Sequence, residues 1–159
     1  MAYTYTNAQF RSILNGLGFR KRGLSEPQFP VSSDNSPMGD KSTVQAIIDF
    51  QRYFSLAPDG IVGPLTMAKA EKQMHVIHYE LDLVMQPNPP LRPQPPLYGP
   101  QTSAAVRDFR RRYGFEPDGD PNSDFVADIA VRRKLDQLTP GLAASESDLD
   151  SITSESATV

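Results

Sequence analysis

The sequence predicts an all-α protein made of two tandem three-helix modules, with a proline-rich loop and a disordered acidic C-terminal tail. Three observations predict it. Residues 49–60 (Asp-Phe-Gln-Arg-Tyr-Phe-Ser-Leu-Ala-Pro-Asp-Gly) return at 108–119 as Asp-Phe-Arg-Arg-Arg-Tyr-Gly-Phe-Glu-Pro-Asp-Gly, 59 positions later and identical at six of twelve. A repeat at such spacing sets the architecture before any local feature does. In each copy an apolar stripe at i, i+4, i+7, i+11 precedes the turn: Thr43, Ile47, Phe50 and Phe54, then Thr102, Val106, Phe109 and Tyr113. That is one face of a helix. Each copy then closes on Pro-Asp-Gly, where Pro fixes φ, Asp accepts a local hydrogen bond and Gly supplies a positive φ. The expected division is 1–76, 77–140 and a tail from 141 to 159.

The first helix is expected over 6–19, capped by Thr6 or Asn7. Phe10, Ile13, Leu14 and Leu17 face inward, and Gly16 and Gly18 stop it. Residues 20–38 read as an aperiodic loop. The second helix runs from about Ser42 to Phe54, capped by Asp40 or Ser42. After the Asp59-Gly60 turn, Ile61 and Val62 are expected to dip into the core. Gly63-Pro64 opens a third helix, with Pro at a position where no donor is missed. Leu65, Ala68 and Met74 are candidates for its inner face. Residues 75–86 fit a strand by the alternation Ile77, Tyr79, Leu81, Leu83, and a helix by Met74, Ile77, Leu81, Val84. Periodicity leaves both open; the repeat favours helix, because this segment sits where residues 6–17 sit in the first copy.

Residues 87–97 read as a stiff connector. The plain reading is a spacer; the alternative is a ligand for a proline-reading module. Gly99-Pro100-Gln101-Thr102 opens the second central helix. Ser123 is expected to cap a last helix with Phe125, Ile129 and Leu135 or Leu138 inward, ended by Pro140-Gly141. Residues 142–159 are Ser-rich, acidic and poor in bulky apolar residues, the composition of a disordered segment.

Composition narrows the function classes. The chain has 159 residues and a formal net charge of −3. Residues 141–159 carry Glu146, Asp148, Asp150 and Glu155 and no basic residue, which leaves the rest near neutral. A nucleic-acid binder usually shows a net basic domain, so no nucleic-acid partner is expected. No cysteine is present, so disulfides and thiol chemistry are excluded. No apolar run is long enough to span a bilayer. The N-terminus has neither a basic region nor an apolar one and does not read as a secretory signal. The expectation is a protein kept in the cytoplasm, or one that reaches a wall by a signal-independent route.

The order of elements resembles the peptidoglycan-binding-domain-like family (type 1): a helix, a second helix ending in Phe-Gln, a Pro-Asp-Gly turn, then Gly-Pro-x-Thr opening a third. Val44, Ala46, Phe50, Gln51, Leu56, Asp59, Gly60, Gly63, Pro64, Thr66 and Ala68 carry the resemblance over residues 6–76. Gly99, Pro100, Thr102, Ala105, Val106, Phe109, Phe115, Asp118 and Gly119 carry a looser one over 77–139. There Phe-Gln has become Phe109-Arg110, and Asp120-Pro121-Asn122-Ser123 replaces the Gly-x-x-Thr element. The second copy is therefore degenerate. The resemblance implies a small helical, non-catalytic module of the kind appended to wall-degrading enzymes, and a peptidoglycan ligand.

The candidate ligand-binding residues are Gln51, Arg52, Asp59, Gly60, Gly63, Leu65 and Thr66. The Asp-Gly turns are mainly framework. The amides of Leu65 and Thr66 open a helix N-terminus, where an anion is favoured by about 0.3–1 kcal/mol, and Gln51 and Arg52 precede the turn as further donors. Arg107, Arg110, Arg111 and Arg112 form a basic patch, either a solvated helix face or a dock for an acidic partner or the tail. His75 and His78 at i, i+3 make a weak metal pair, so no metal and no cofactor is expected. Glu80 and Asp82 read as a solvated face, and no nucleophile set or paired carboxylate has a local signature. An enzyme is not expected. Two readings remain: a peptidoglycan-binding protein, and an intracellular protein–protein interaction protein that reuses the fold.

Overall fold

The computed structural model describes residues 3–20, 26, 28–115 and 121–140. The Pro117-Asp118-Gly119 turn, Asp120 and the acidic tail lie outside the described residues. Among the described residues five α-helices follow in order: α1 (Asn7–Gly16), α2 (Lys41–Tyr53), α3 (Pro64–Met85), α4 (Pro100–Arg112) and α5 (Ile129–Leu138), with a 3₁₀ turn at Pro121–Phe125 before α5. The described residues hold no strand.

Local chemistry starts the first four helices where the sequence expects. Thr6 and Gln9 form a reciprocal capping box: the Thr6 hydroxyl accepts from the Gln9 amide at 3.1 Å, and the Thr6 amide donates to the Gln9 side chain at 2.9 Å. Asp40 caps α2 by accepting from the Thr43 amide at 3.1 Å. Gly18, at φ +87°, is the left-handed residue after α1, and the Phe19 amide bonds back to Leu14 at 2.8 Å. Gly16 has a different reason. It is the last residue of α1, and an added Cβ would lie 2.4 Å from the Tyr98 ring. Glycine here lets the second half of the chain rest on the first helix.

α1 is buried on every side from Phe10 to Gly16. Phe10, Ile13, Leu14 and Leu17 enter the apolar core with Phe50, Met74, Ile77 and Leu81. Arg11, Ser12 and Asn15 face the opposite way and are equally buried. The loop after α1 supplies most of their partners, and only the Arg11 Nε is left without one among these side chains. Arg11 donates to the carbonyls of Asp34, Ser36 and Pro37 at 2.6–3.0 Å. The Ser12 hydroxyl accepts from the Ser32 amide at 2.8 Å, and Asn15 donates to the Pro30 carbonyl at 2.9 Å. A stretch without hydrophobic period is therefore packed cover for a helix.

α3 runs without a break through residues 76 and 77, about 33 Å at 1.5 Å per residue. The helical alternative for 75–86 is the one observed. Its buried face is Thr66, Ala70, Met74, Ile77 and Leu81, while Leu83, inward on the strand alternative, is 53% exposed. α1 packs on α2, and α3 packs on both α4 and α5. The proline-rich segment folds back on α3 instead of spanning free space. Asp82 accepts from the Leu91 and Arg92 amides at 2.7 and 3.0 Å, and Leu91 joins the core.

Five expectations are corrected. Leu65 and Ala68 are exposed, so of the three residues expected on the inner face of α3 only Met74 is there, with Thr66 and Ala70 in the first turns instead. Ile61 is 68% exposed and does not enter the core; only Val62 packs against it. Ser123 lies in the 3₁₀ turn and does not cap the last helix. Asp128 does, accepting from the Val131 amide at 3.1 Å, so α5 starts five residues later. Its inward residues are Val131 and Leu135, with Leu138 38% exposed. Glu80 is buried, not solvated. It meets the Thr139 hydroxyl, which donates at 2.8 Å, and the Asp136 carboxyl at the α3–α5 joint.

Burial, and then the neighbouring Asp136 carboxyl, push Glu80 up to about 8 from an ordinary 4.5. A group raised in the fold keeps its proton where the unfolded chain has released it. The joint's contribution is thus whole below the ordinary value and is lost as pH rises through the raised one. Urea unfolding between about pH 5 and about pH 8 is expected to show falling stability. Glu80→Gln, neutral and of the same shape, is expected to flatten that slope; parallel profiles would assign it elsewhere.

Candidate functional site

The turn after α2 is organised by one buried side chain. Gln51 is 1% exposed. Its Nε2 donates toward Asp59 Oδ1 at 2.9 Å, the Ile61 carbonyl at 3.0 Å and Thr66 Oγ1 at 3.1 Å. Its Oε1 accepts from the Gly60 amide at 2.9 Å. The carboxamide thus ties the end of α2, the turn and the first turn of α3 together. Asp59 also accepts from the Ile61 amide at 3.0 Å. That bond and the one from Gln51 hold its carboxyl below the usual range, so it stays ionised. Gly60 has φ +74°, and an added Cβ would lie 3.1 Å from the Val44 side chain.

The structure therefore brings Gln51, Asp59, Gly60 and Thr66 into one hydrogen-bonded unit. Gly63 caps α3 with no side-chain bond, which leaves the first-turn amides uncapped. Leu65 is 76% exposed, and Arg52 is also exposed. The outward face of this mouth consists of the Asp59 carboxylate and the side chains of Ile61 and Leu65. Ile61 is the member the sequence did not single out. Its apolar character argued for burial, and only the turn's hydrogen bonding sends it outward.

Arg110 departs from its expected place on the basic patch. It is 6% exposed. It donates to the Val126 carbonyl at 3.1 Å, lies 3.7 Å from Asp128 and covers the Phe115 ring. It stands 59 positions after Gln51 and does a comparable job, holding the segment that follows its helix. Arg107, Arg111 and Arg112 sit on the outer side. Arg107 lies 3.2 Å from Asp108, Arg111 3.6 Å from Asp124, and Arg112 donates to the Val84 carbonyl at 3.4 Å.

A second mouth repeats the first with a different offset. Gly99 caps α4 at φ −101° and ψ −172°, against −102° and −172° for Gly63, again with Pro next and no side-chain cap. Thr102 is buried like Thr66. His78 takes the place of Gln51: its Nε2 lies 2.8 Å from Thr102 Oγ1 and 3.1 Å from the Leu97 carbonyl. Burial pulls His78 down to about 4, so the imidazole is neutral near pH 7. Its Nδ1 is buried without a partner. Beside it opens a cavity of about 410 Å³ lined by His78, Leu91, Gln94, Pro95, Leu97 and residues 99–102. The Gly-Pro-x-Thr signal is visible twice in the sequence, but the cavity beside the second copy is not. Among the described residues no three His, Asp or Glu side chains gather as a metal site, and none of the helices is long and apolar enough to cross a membrane.

Residues 9–69, which contain α1 from its third residue onward, α2, the Gln51 unit and the first mouth, match the family described as "Putative peptidoglycan binding domain". No curated protein and no solved structure matches the chain.

Gln51→Ala is expected to cost about 3 kcal/mol in chemical denaturation, because it removes the bonds that tie the turn to α2 and leaves the buried Thr66 hydroxyl without that partner. Arg110→Ala is expected to cost about 2–4 kcal/mol for the same reason. Arg111→Ala, on the outer side, is expected to stay within about 0.5 kcal/mol. Equal costs at Arg110 and Arg111 would refute the separation of the patch into a buried anchor and an outer face.

Proposed function

We propose that the protein is a non-catalytic, wall-associated binding protein whose first half engages peptidoglycan at the mouth of α3. One observation carries this reading: the family-matched segment, residues 9–69, is also the segment that presents an uncapped helix mouth on a rigid polar frame. Gln51 and Thr66 spend their polar atoms inside the protein and hold the frame. Contact falls to the first-turn amides at Leu65 and Thr66, the Leu65 and Ile61 side chains, and Arg52. An uncapped helix N-terminus favours an anionic group such as a stem-peptide carboxylate. The second half, from the later part of α3 to α5, acts as a divergent tandem copy.

A protein partner is the second reading, favoured by the outward Ile61 and Leu65, 68% and 76% exposed, with Arg107, Arg111 and Arg112 offering charge elsewhere.

Purified insoluble peptidoglycan is expected to pellet the protein, without release of soluble sugar or peptide fragments. Leu65→Asp is expected to lower the bound fraction about tenfold, with the unfolding midpoint unchanged because the side chain is exposed. Protein that stays in the supernatant across a range of salt overturns the wall reading, and recovery of a specific partner from the cytoplasmic fraction would replace it.

A further inference from the structure

A cavity of about 400 Å³ lies where the segment after α1 meets the segment before α5, apart from both helix mouths. Gly18, Arg20 and Phe29 line it from the first half of the chain, Val126 and Asp128 from the second. Its size lies within the range of small-molecule sites. Two polar groups of the lining are unspent. Arg20 is 7% exposed. Its Nη1 donates to Asn15 Oδ1 at 3.0 Å and to the Glu26 carboxylate. Its Nη2 has no bond among the described residues and is not sealed in as its Nε is. Asp128 spends Oδ1 on the Val131 amide. Its Oδ2 lies 3.7 Å from Arg110 Nη1, beyond hydrogen-bond reach, and the side chain is 40% exposed. One open donor thus comes from the first half and one open acceptor from the second.

The charges decide the class of ligand. Among the described residues Arg20 is matched by Glu26, and Asp128 by Arg110. An anion would meet the open Asp128 oxygen, and a cation the open Arg20 nitrogen, with nothing left to compensate either. An uncharged group that both accepts and donates suits both. A secondary amide is such a group, with its acceptor and its donor on different atoms. Phe29 and Val126, 8% and 9% exposed, add an apolar wall that suits a methyl group. Carbonyl, N–H and methyl together make an acetamido group.

We propose that this cavity binds the acetamido group of an N-acetylated sugar. The carbonyl accepts from Arg20, the N–H donates to Asp128, and the methyl lies against Phe29 and Val126. The amide follows from the lining; the sugar as its carrier rests on the peptidoglycan reading. Both halves of the chain contribute, so the family-matched segment, residues 9–69, holds only one side of the site. In this proposal the divergent half supplies a ligand contact as well as its packing role.

The test is an amide ¹⁵N NMR titration of the full chain with N-acetylglucosamine, glucosamine and glucose. N-acetylglucosamine is expected to shift the Gly18 and Val126 amides saturably, and the other two sugars to leave them in place. Asp128→Asn keeps a good cap on α5 but removes the charged acceptor. It is expected to weaken binding about tenfold. Arg20→Lys keeps the charge beside Glu26 and loses the second donor of the fork, with a similar loss expected. Leu65→Asp, at the first mouth, is expected to leave the response at Gly18 unchanged. No saturable shift, equal shifts from glucose or glucosamine, or full binding by both Asp128→Asn and Arg20→Lys overturns the proposal. Pelleting with peptidoglycan but no response at Gly18 leaves the wall reading standing and sinks this one. A response at Gly18 without pelleting does the reverse.

Discussion

The structure depends on the burial of α1 on every side from Phe10 to Gly16. A helix of ten residues with Arg11, Ser12 and Asn15 on one side reads as a surface helix, half in and half out. It is buried because both of its sides are answered. The apolar side meets Phe50, Met74 and Leu81, and the polar side meets carbonyls and an amide of the loop that follows. Burying Arg11 is tolerable only because charged and polar groups surround its guanidinium, with Asp40 at 3.3 Å as the nearest carboxylate. The end of the helix has the same dependence. Gly16 leaves room for the Tyr98 ring, and its carbonyl accepts from the Ala127 amide at 2.7 Å. Arg132 of α5 adds a bond to the Leu17 carbonyl and lies over the Phe19 and Tyr53 rings. One core results, with α3 common to both ends.

Within that core the repeat survives as geometry more than as residues. Phe50 and Phe109 are both fully buried. The Leu56 amide returns to the Gln51 carbonyl at 2.7 Å, and the Phe115 amide to the Arg110 carbonyl at 2.8 Å. Ser55 and Gly114 hold equivalent left-handed positions, at φ +59° and +78°. A serine there carries strain that glycine avoids. Gln51 and Arg110 differ in charge and length, yet each reaches from its helix to a carbonyl of the following segment. Arg110 needs Asp128 and the Phe115 ring because a guanidinium carries a charge that a carboxamide does not.

Much of the fold was legible in the sequence wherever a local rule decides. The caps at Thr6 and Asp40, the left-handed Gly18, the proline openings at Pro64 and Pro100 and the two apolar stripes are set by residues within a turn of one another. The candidate site was legible to the same depth. Gln51, Asp59, Gly60 and Thr66 do come together, since the turn joining them spans only a few residues. Ile61 was missed because hydrophobicity favours burial, and the turn's bonds to Gln51 overrode it. Glu80 and Arg110 were missed for the opposite reason. Charge favours exposure, and their partners Thr139, Asp136, Val126 and Asp128 lie far along the chain.

The sequence by itself determined that the chain is helical, where most helices begin, and which short turns join them. These depend on backbone capping, proline and glycine stereochemistry and a 3.6-residue period, all of which act between near neighbours. Tertiary structure alone decided that α3 passes unbroken through the middle of the chain and that the proline-rich segment folds onto Asp82. It alone decided that His78 stands behind Thr102 with a cavity at its side. Those outcomes require groups 9 to 24 positions apart to meet, and no local preference encodes such a meeting. It follows from packing, as buried polar atoms find partners and apolar surface leaves water.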